Sequence, residues 1–364
     1  SHVHLTMSGS EDSAVRERQL SLTREEAEKV IAKHLTDHLA HGIVAVRDGG
    51  DHAGHTLHYK KAVLPGQVLP IYLCAAGKAW HAAGRYGRLV GEPPLRGESL
   101  AQSITRRSDG IGHIKIVNSG LNSLTRFGRE TPPQFHLGEF TSAVMIGKDM
   151  GLKTMVHANG KEPVRIAIEA GCDSIEHGFF MGRENIALMA EKGVTWVPTA
   201  HPMAAYARIF PRGSSTSDMA KRNLEHQLTQ IRIAAEYGVP MALGTDAGSP
   251  GVHHGRAVRE EMAWWVDAGL GIERVVHCAA AQGARLLGLE DRIGRLLPGM
   301  PATFLVTRGK PEDVTDALAC PERIYINGTE LAADPHLPAG IGRADRHRRK
   351  LGANTVCRSL NQKI

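Results

Sequence analysis

Several common signatures are missing from this sequence. Its five cysteines (Cys74, Cys172, Cys278, Cys320, Cys357) are odd in number, scattered and never spaced C-x-x-C. Neither a disulfide framework nor a thiolate zinc knuckle is therefore expected, and buried free thiols in a reducing compartment follow. No apolar run approaches the roughly 18–20 residues that a membrane helix needs. The opening Ser1-His2-Val3-His4-Leu5-Thr6-Met7 is no signal peptide. A cytoplasmic location is expected, with an export signal upstream left open, because the chain opens on what reads as a strand end and looks like a fragment. The formal charge of +6 lacks breadth: seven bases and one acid after residue 339 account for all of it, leaving 37 of each sign in the preceding 339 residues. A body without net charge has no electrostatic reason to seek nucleic acid or a membrane surface. At 364 residues and 42% apolar content, a small stapled domain or a disordered chain is excluded as well. Aromatic residues are scarce too, 17 in all, and are outnumbered by 20 histidines, which invites a search for metal ligands.

Short apolar runs of strand length recur between segments of helical period, the pattern of successive βα units around a parallel sheet. Eight runs can be read: His2 to Leu5, Ile43 to Val46, Leu69 to Cys74, His113 to Val117, Lys153 to His157, Asp173 to His177, Val194 to Pro198 and Val239 to Gly244. Between them lie helix candidates such as Arg24 to Ala40, opened by the capping box Thr23-Arg24-Glu25-Glu26. The fold class expected is α/β, a (β/α)8 TIM barrel, since eight strand and helix units fit within the residues available. A doubly wound open sheet shares the alternation, but no run is followed by a Gly-rich phosphate fingerprint. Beyond Leu287 the texture turns to Gly and Pro with strand-like Thr303 to Thr307, Arg323 to Ile326 and an Asn327-Gly328 turn. The expected division is a barrel over 1–290, a small β module over 291–335, and a basic, flexible tail over 336–364.

His2 and His4 are two apart on a strand, so both imidazoles leave on one face. Alone that is weak, because paired strand histidines are more often incidental. His157 and His177 close the fifth and sixth runs, and Asp246 follows the eighth. In a barrel these strand ends converge on one mouth. Lys115 lies inside Ile114-Lys115-Ile116-Val117, a strand expected to be buried on both sides, where a lone ammonium is costly. Either a neighbouring carboxylate pairs with it, or burial lowers its pKa and the neutral amine takes up CO2 as a metal-bridging carbamate.

The set His2-x-His4, Lys115, His157, His177 and Asp246, on the first, fourth, fifth, sixth and eighth runs, resembles the binuclear branch of the amidohydrolase superfamily with a bridging carbamylated lysine. Arg47-Asp48-Gly49-Gly50, His113-Ile114-Lys115-Ile116, Ser174-Ile175-Glu176-His177-Gly178 and Gly244-Thr245-Asp246-Ala247-Gly248 are similar to its imidazolonepropionase-like and metal-dependent dipeptidase-like members. The likeness runs from His2 to about Ala332 and includes Ile293 to Ala302, similar to that family's return into a β-sandwich. It departs in places. The family's β segment before the H-x-H is lacking here, so an incomplete sandwich is expected; Asn159 stands where dipeptidase-like members carry a second histidine; Asn118 to Asn122 differs from the usual dipeptidase wording, and the basic tail has no counterpart.

The resemblance implies that His2, His4 and Asp246 hold one ion, His157 and His177 the other, and carbamylated Lys115 bridges both. The cofactors implied are two divalent metal ions, zinc first, with manganese, iron or cobalt as alternatives, since the ligands are nitrogen and oxygen without thiolate. The activity implied is hydrolysis of a C–N amide bond, linear and peptide-like or cyclic, by a metal-bridging hydroxide with Asp246 as proton shuttle. A lactonase or phosphotriesterase on the same centre, or a non-catalytic scaffold, are the alternatives. The partner expected is a small-molecule amide substrate, with neither nucleic acid nor membrane and with a homo-oligomer left open. Substrate contacts are expected from strand-to-helix loops: His52 and Tyr59 after the second run (with His55), Asn159 after the fifth, Phe179 after the sixth (with Phe180), His201 after the seventh and His254 after the eighth (with His253). His201 is also expected to polarise the carbonyl. Trp264 and Trp265 read as helix packing, Glu260 and Glu261 as a solvated face, and His34, His38 and His41 as solvated or half-buried.

Overall fold

A computed structural model describes residues 1–66 and 70–331. Leu69, the basic tail and the last residues of the expected β module lie outside them, as does Cys357. Strands β1 (Ala45–Asp48), β2 (Tyr72–Ala75), β3 (Ala79–Trp80), β4 (Gly91–Glu92), β5 (His113–Val117), β6 (Lys153–Ala158), β7 (Ser174–His177) and β8 (Thr195–Val197) are all paired in parallel. One sheet has the order β4-β3-β5-β6-β7-β8, and β1 pairs with β2 separately. Isolated parallel bridges carry the series onward from Trp196 to Met241, from Ala247 to Val3, and from Val3 to Asp48 at the end of β1. The Gly112 amide donates to the Ala75 carbonyl at 2.8 Å, which sets the start of β5 beside β2.

The expected α/β alternation is thus what the chain forms, with local differences. The first and eighth runs appear as single bridges rather than continuous strands. At the first, side chains take over main-chain partners: the Leu5 amide donates to Asp48 Oδ2 at 2.7 Å. β1 begins two residues later than expected, at Ala45. The long helix expected from Ile272 to Leu287 is interrupted by a wider turn over Cys278–Gln282.

Helix Arg24–Ala40 starts where the sequence places it. Thr23 Oγ1 accepts from the Glu26 amide at 3.3 Å, and Glu26 Oε2 accepts from the Thr23 amide at 3.0 Å. Its buried face, Ala27, Ile31, His34, Leu35, His38 and Leu39, repeats every three or four residues. His34 and His38 are therefore core residues, correcting the expectation of solvated or half-buried side chains. Ile31, Leu35 and Leu39 of the same face join a core cluster with Val3, Leu5, Val46, Leu73 and the C-terminal Ile324 and Ile326. The larger cluster lies between the sheet and its helices, with Ile116, Val156, Ile175 and Trp196 facing Phe140, Ile168, Met189 and Trp265. Truncating a fully buried aromatic such as Trp196 to alanine costs about 3–5 kcal/mol.

C-terminally, β9 (Phe304–Val306), β10 (Arg323–Ile326) and β11 (Thr329–Glu330) form an antiparallel sheet. Asn327 and Gly328 both have positive φ, +50° and +83°, as a tight hairpin turn requires. All four described cysteines are free; Cys172 and Cys278 are buried, whereas Cys320 is exposed, against the expectation of burial. Among the described residues no helix is long and apolar enough to cross a membrane.

Candidate metal centre

His2, His4, Lys115, His157, His177 and Asp246, spread over 245 positions of sequence, line a single cavity of about 260 Å³ at the C-terminal ends of the strands. The tightest grouping is His2, His4 and Asp246. His2 Nε2 lies 3.4 Å from His4 Nε2, and each lies 3.5 Å from Asp246 Oδ1. The other ring nitrogens are engaged: His2 Nδ1 is 2.9 Å from Glu176 Oε2, and His4 Nδ1 donates to the Gly50 carbonyl at 2.9 Å. That assigns the proton to Nδ1 in both rings and leaves two Nε2 lone pairs and a carboxylate oxygen converging on one point. Edges of 3.4–3.5 Å are those of a tetrahedron about an ion bound at ~2.0–2.1 Å, the usual zinc distance to imidazole and carboxylate.

The backbone keeps this point clear. A Cβ on Gly49 would lie 2.7 Å from His4 Cε1 and 3.3 Å from His2 Nε2, so any side chain there displaces the two imidazoles. Three residues around the cavity, His177, Thr199 and Asp246, have φ of +69°, +47° and +55°, a conformation non-glycine residues adopt rarely. At His177 the left-handed turn breaks strand alternation, so that both Glu176 and His177 approach His2.

Glu176 is fully buried. Arg47 donates to its Oε1 at 2.8 Å, as does Ser174 Oγ at 2.6 Å. Burial alone would raise its carboxyl pKa, but the positive charges of Arg47 and Lys115 hold it below the usual range. On the opposite side Asp48, pushed up to about 6 by burial, receives the Leu5 and Gly50 amides and so fixes the backbone on both sides of His4. Asp246 Oδ2 accepts from Ser249 Oγ at 2.9 Å, and burial raises its carboxyl above the usual range.

The second set is arranged differently. His177 Nδ1 is 2.7 Å from Thr199 Oγ1, which leaves Nε2 free; His157 Nε2 donates to the Gly120 carbonyl at 3.2 Å, which leaves Nδ1. Their rings lie 4.6 Å apart. Lys115 is 2% exposed, and its Nζ has no hydrogen-bond partner among the described residues. Among the described residues no carboxylate lies within ion-pair distance of it, although the charges of Glu176, Asp246 and Asp48 reach it. Burial pushes its pKa down to about 8, which raises the fraction of neutral amine near neutral pH. A buried, orphaned amine beside two imidazoles is the donor set that a carbamate-bridged metal pair requires.

Of the loop residues expected at the substrate, Asn159 and Phe179 line the cavity. Four do not, and each is corrected by where it lies. Tyr59 is fully buried with Leu35 and Leu73 in the smaller core. His52 sits in the turn after β1, outside the lining. His254 turns behind the strand ends, 3.1 Å from His38 and 2.8 Å from the Met7 carbonyl. His201 points toward helix Ala257–Asp267: its Nε2 lies 3.1 Å from Glu260, and its Nδ1 accepts from Trp264 Nε1. It is not placed to polarise a substrate carbonyl. The same contacts correct the reading of Glu260 and Glu261 as a solvated face, since Glu261 is fully buried and receives the Ala200 and His201 amides. Of the neighbours named with these, His55 opens a short helix, His253 lines a separate cavity beside His254, and Phe180 packs on His226.

Sequence reasoning missed Arg16, Tyr86 and Tyr206, which do line the cavity. Tyr86 and Arg16 lie in connections after the third and first runs, where position alone was a usable signal. Tyr206 sits within helix His201–Ile209, which the apolar pattern did not reveal.

The profile described as the amidohydrolase family matches residues 1–331. An uncharacterized protein of Mycobacterium tuberculosis is 29% identical over 225 residues, 60% of this chain and 58% of its own length. The chain thus spans less than two thirds of that relative. Ochratoxinase of Aspergillus niger is 29% identical over 144 residues, 39% of this chain and 30% of its own length. Among solved structures, a Xaa-Pro dipeptidase with bound methionine superposes with a TM-score of 0.76 at 28% identity, covering 91% of this chain and 84% of that one.

Proposed function

The chain belongs to the amidohydrolase family, and from that premise we propose that it hydrolyses a C–N amide bond in a small molecule at the cavity lined by His2, His4 and Asp246. The observation that carries this reading is the mutual 3.4–3.5 Å spacing of His2 Nε2, His4 Nε2 and Asp246 Oδ1 with both Nδ1 atoms already engaged. The runs close as a (β/α)8 barrel over about residues 1–290, with the β module beside it. The bridges from Val3 to both Asp48 and Ala247 support that closure.

His2, His4 and Asp246 hold one divalent ion, zinc by the chemistry of the donors, and His157 with His177 hold a second. Lys115 would join the two sets if its neutral amine added CO2 and released one proton, since the resulting carbamate would offer the ions a carboxylate. Bound there, the ions supply Lewis-acid polarisation of the amide carbonyl and lower the pKa of water from 15.7 toward about 7.

This chain's residues do the rest. Asp246 takes the proton released by the attacking water and delivers it to the leaving nitrogen, while Ser249 holds its Oδ2. Burial raises the pKa of both the Tyr86 and Tyr206 phenols, so they stay protonated. With His201 turned away, they are phenolic donors that line the cavity and can bond the carbonyl oxygen. Leu89, Leu121 and Met203 provide its apolar wall. Glu176 and Gly50 keep the two imidazoles in their ligating tautomer. Ochratoxinase and the Xaa-Pro dipeptidase, by their names, act on a toxin and a dipeptide; an amide substrate here is in keeping with both.

The test is a panel of N-acyl amino acids, dipeptides and cyclic amides offered to protein reconstituted with zinc or manganese, beside a metal analysis. Amide turnover with two ions per chain is expected. Fast ester or phosphotriester turnover without amide turnover rejects the reading.

A further inference from the structure

The cavity holds a cation that the proposed reaction does not use. Arg16, in the short helix Ser13–Gln19, lines the cavity beside Gly248 and Ser249. Its Nη1 donates to three main-chain carbonyls, those of Ser8 (3.0 Å), Ser10 (3.4 Å) and Gly248 (3.0 Å). No hydrogen bond or ion pair engages its Nε or Nη2 among the described residues, and no carboxylate lies within ion-pair distance. The charge of Asp246 reaches this half-buried guanidinium without forming an ion pair with it, so Nε and Nη2 are left without a paired acceptor. Three carbonyls anchor the group at Nη1, so it is held at the cavity rather than offered as a mobile charge. The position is defined as well. Gly248 is two residues from Asp246, so the Cα atoms that carry the anchoring carbonyl and the carboxylate facing His2 and His4 are at most about 7 Å apart.

We propose that Arg16 is the specificity determinant of this cavity and that the substrate is an amide bearing a carboxylate about one residue beyond the scissile bond, bound by the free edge of the guanidinium. This rests on the amide-hydrolysis reading above. A planar carboxylate matches the two free donor positions as a bidentate pair, which a neutral carboxamide cannot reproduce with charge. The apolar wall of Leu89, Leu121 and Met203 sets the rest of the preference, toward apolar side chains.

The experiment compares N-acetylleucine with N-acetylleucinamide, which share the scissile acetamide and differ in the terminal charge. Acetate release by the zinc-loaded full chain is measured together with calorimetric binding of both ligands to metal-free protein. The expected result is a preference for the carboxylate of about 10-fold or more in binding and in kcat/KM, the range of a charge-assisted hydrogen bond. In Arg16→Gln the ratio should fall to within about threefold, while Arg16→Lys keeps an intermediate ratio. Thermal melts verify that each variant is folded. A wild-type ratio near one, no binding of the carboxylate, or an unchanged ratio in Arg16→Gln overturns the proposal. If the binding ratio behaves as expected but neither acetamide nor any other amide is cleaved, the hydrolase reading fails and the anion site stands; amide turnover without a carboxylate preference gives the reverse.

Discussion

Two groups of histidines lie back to back in this protein, separated by the stretch Leu5 to Met7. In the first, His2 and His4 turn their Nε2 atoms toward each other and toward Asp246, with no proton available to bond between them. In the second, His34, His38 and His254 are all buried, and their hydrogen bonds run to one another and to the backbone: His38 Nε2 to His254 Nδ1, His254 Nε2 to the Met7 carbonyl, His34 Nδ1 to the Leu5 carbonyl. The rings of His34 and His254 stack 4.0 Å apart. Burial alone does not separate the two groups, since His2 is as buried as His38. What separates them is where the lone pairs go. In the first they converge on a cavity with a carboxylate; in the second they do not converge, His254 Nδ1 accepting from His38 while His38 Nδ1 has no partner, and the N–H groups donated to the Leu5 and Met7 carbonyls brace the backbone beside His4.

The sharpest way to break this distinction is to remove a ligand. Lys115→Ala should lower the metal content from two ions to one or none per chain and reduce amide turnover by about 10³-fold or more, in line with losing a metal that generates the nucleophile; elemental analysis and initial rates check both. Gly49→Ala should follow closely. It leaves every donor in place, yet the new methyl group meets His4 and His2, so metal affinity should drop at least about tenfold while urea unfolding of the metal-free protein moves by no more than about 1–3 kcal/mol.

His254→Ala tests the other side. It strands the His38 donor and the Met7 carbonyl and leaves a hole, which should cost about 2–4 kcal/mol in chemical denaturation. The protein that remains folded should still bind two ions, and loss of metal at full stability would erase the distinction.

The bracing group should also give a pH signature. Burial pushes His38 down to about 3 and lowers His34 and His254 as well. The unfolded chain, with histidines near 6.5, then binds more protons than the folded one between these values. Stability contributed by the neutral cluster is complete above about pH 6.5 and is lost as pH falls toward 3. His38→Gln should reduce the slope of stability against pH in that window by about one proton, measured by denaturation from pH 4 to 6.5. The smallest effect belongs to His41, whose Nδ1 merely bonds the Asp37 carbonyl one turn back. Its change to alanine should stay within about 0.5 kcal/mol.

Period and order made much of this legible beforehand. Two residues apart on a strand means one face, and a ligand type at each strand end means one mouth, so the cavity-lining set from His2 to Asp246 could be picked out without coordinates. The capping box at Thr23 and the Asn327-Gly328 hairpin are local chemistry and were equally readable. The loop residues were not. His201 and His254 lie where substrate contacts belong, yet a buried glutamate beneath one and a stacked imidazole beside the other draw them away, and neither partner is near in sequence. Glu261 looks like an exposed helix position until the Ala200 and His201 amides need an acceptor. Tyr206 and Arg16 went unread because short helices inside the connections carry them to the cavity.

The left-handed residues at His177, Thr199 and Asp246 have a further consequence. Each such position costs about 1–3 kcal/mol that the surrounding fold must offset, and glycine would adopt these angles more comfortably. A screen that selects only for heat resistance should therefore favour replacing the groups that give the mouth its chemistry, and thermal tolerance and turnover should move in opposite directions at these sites.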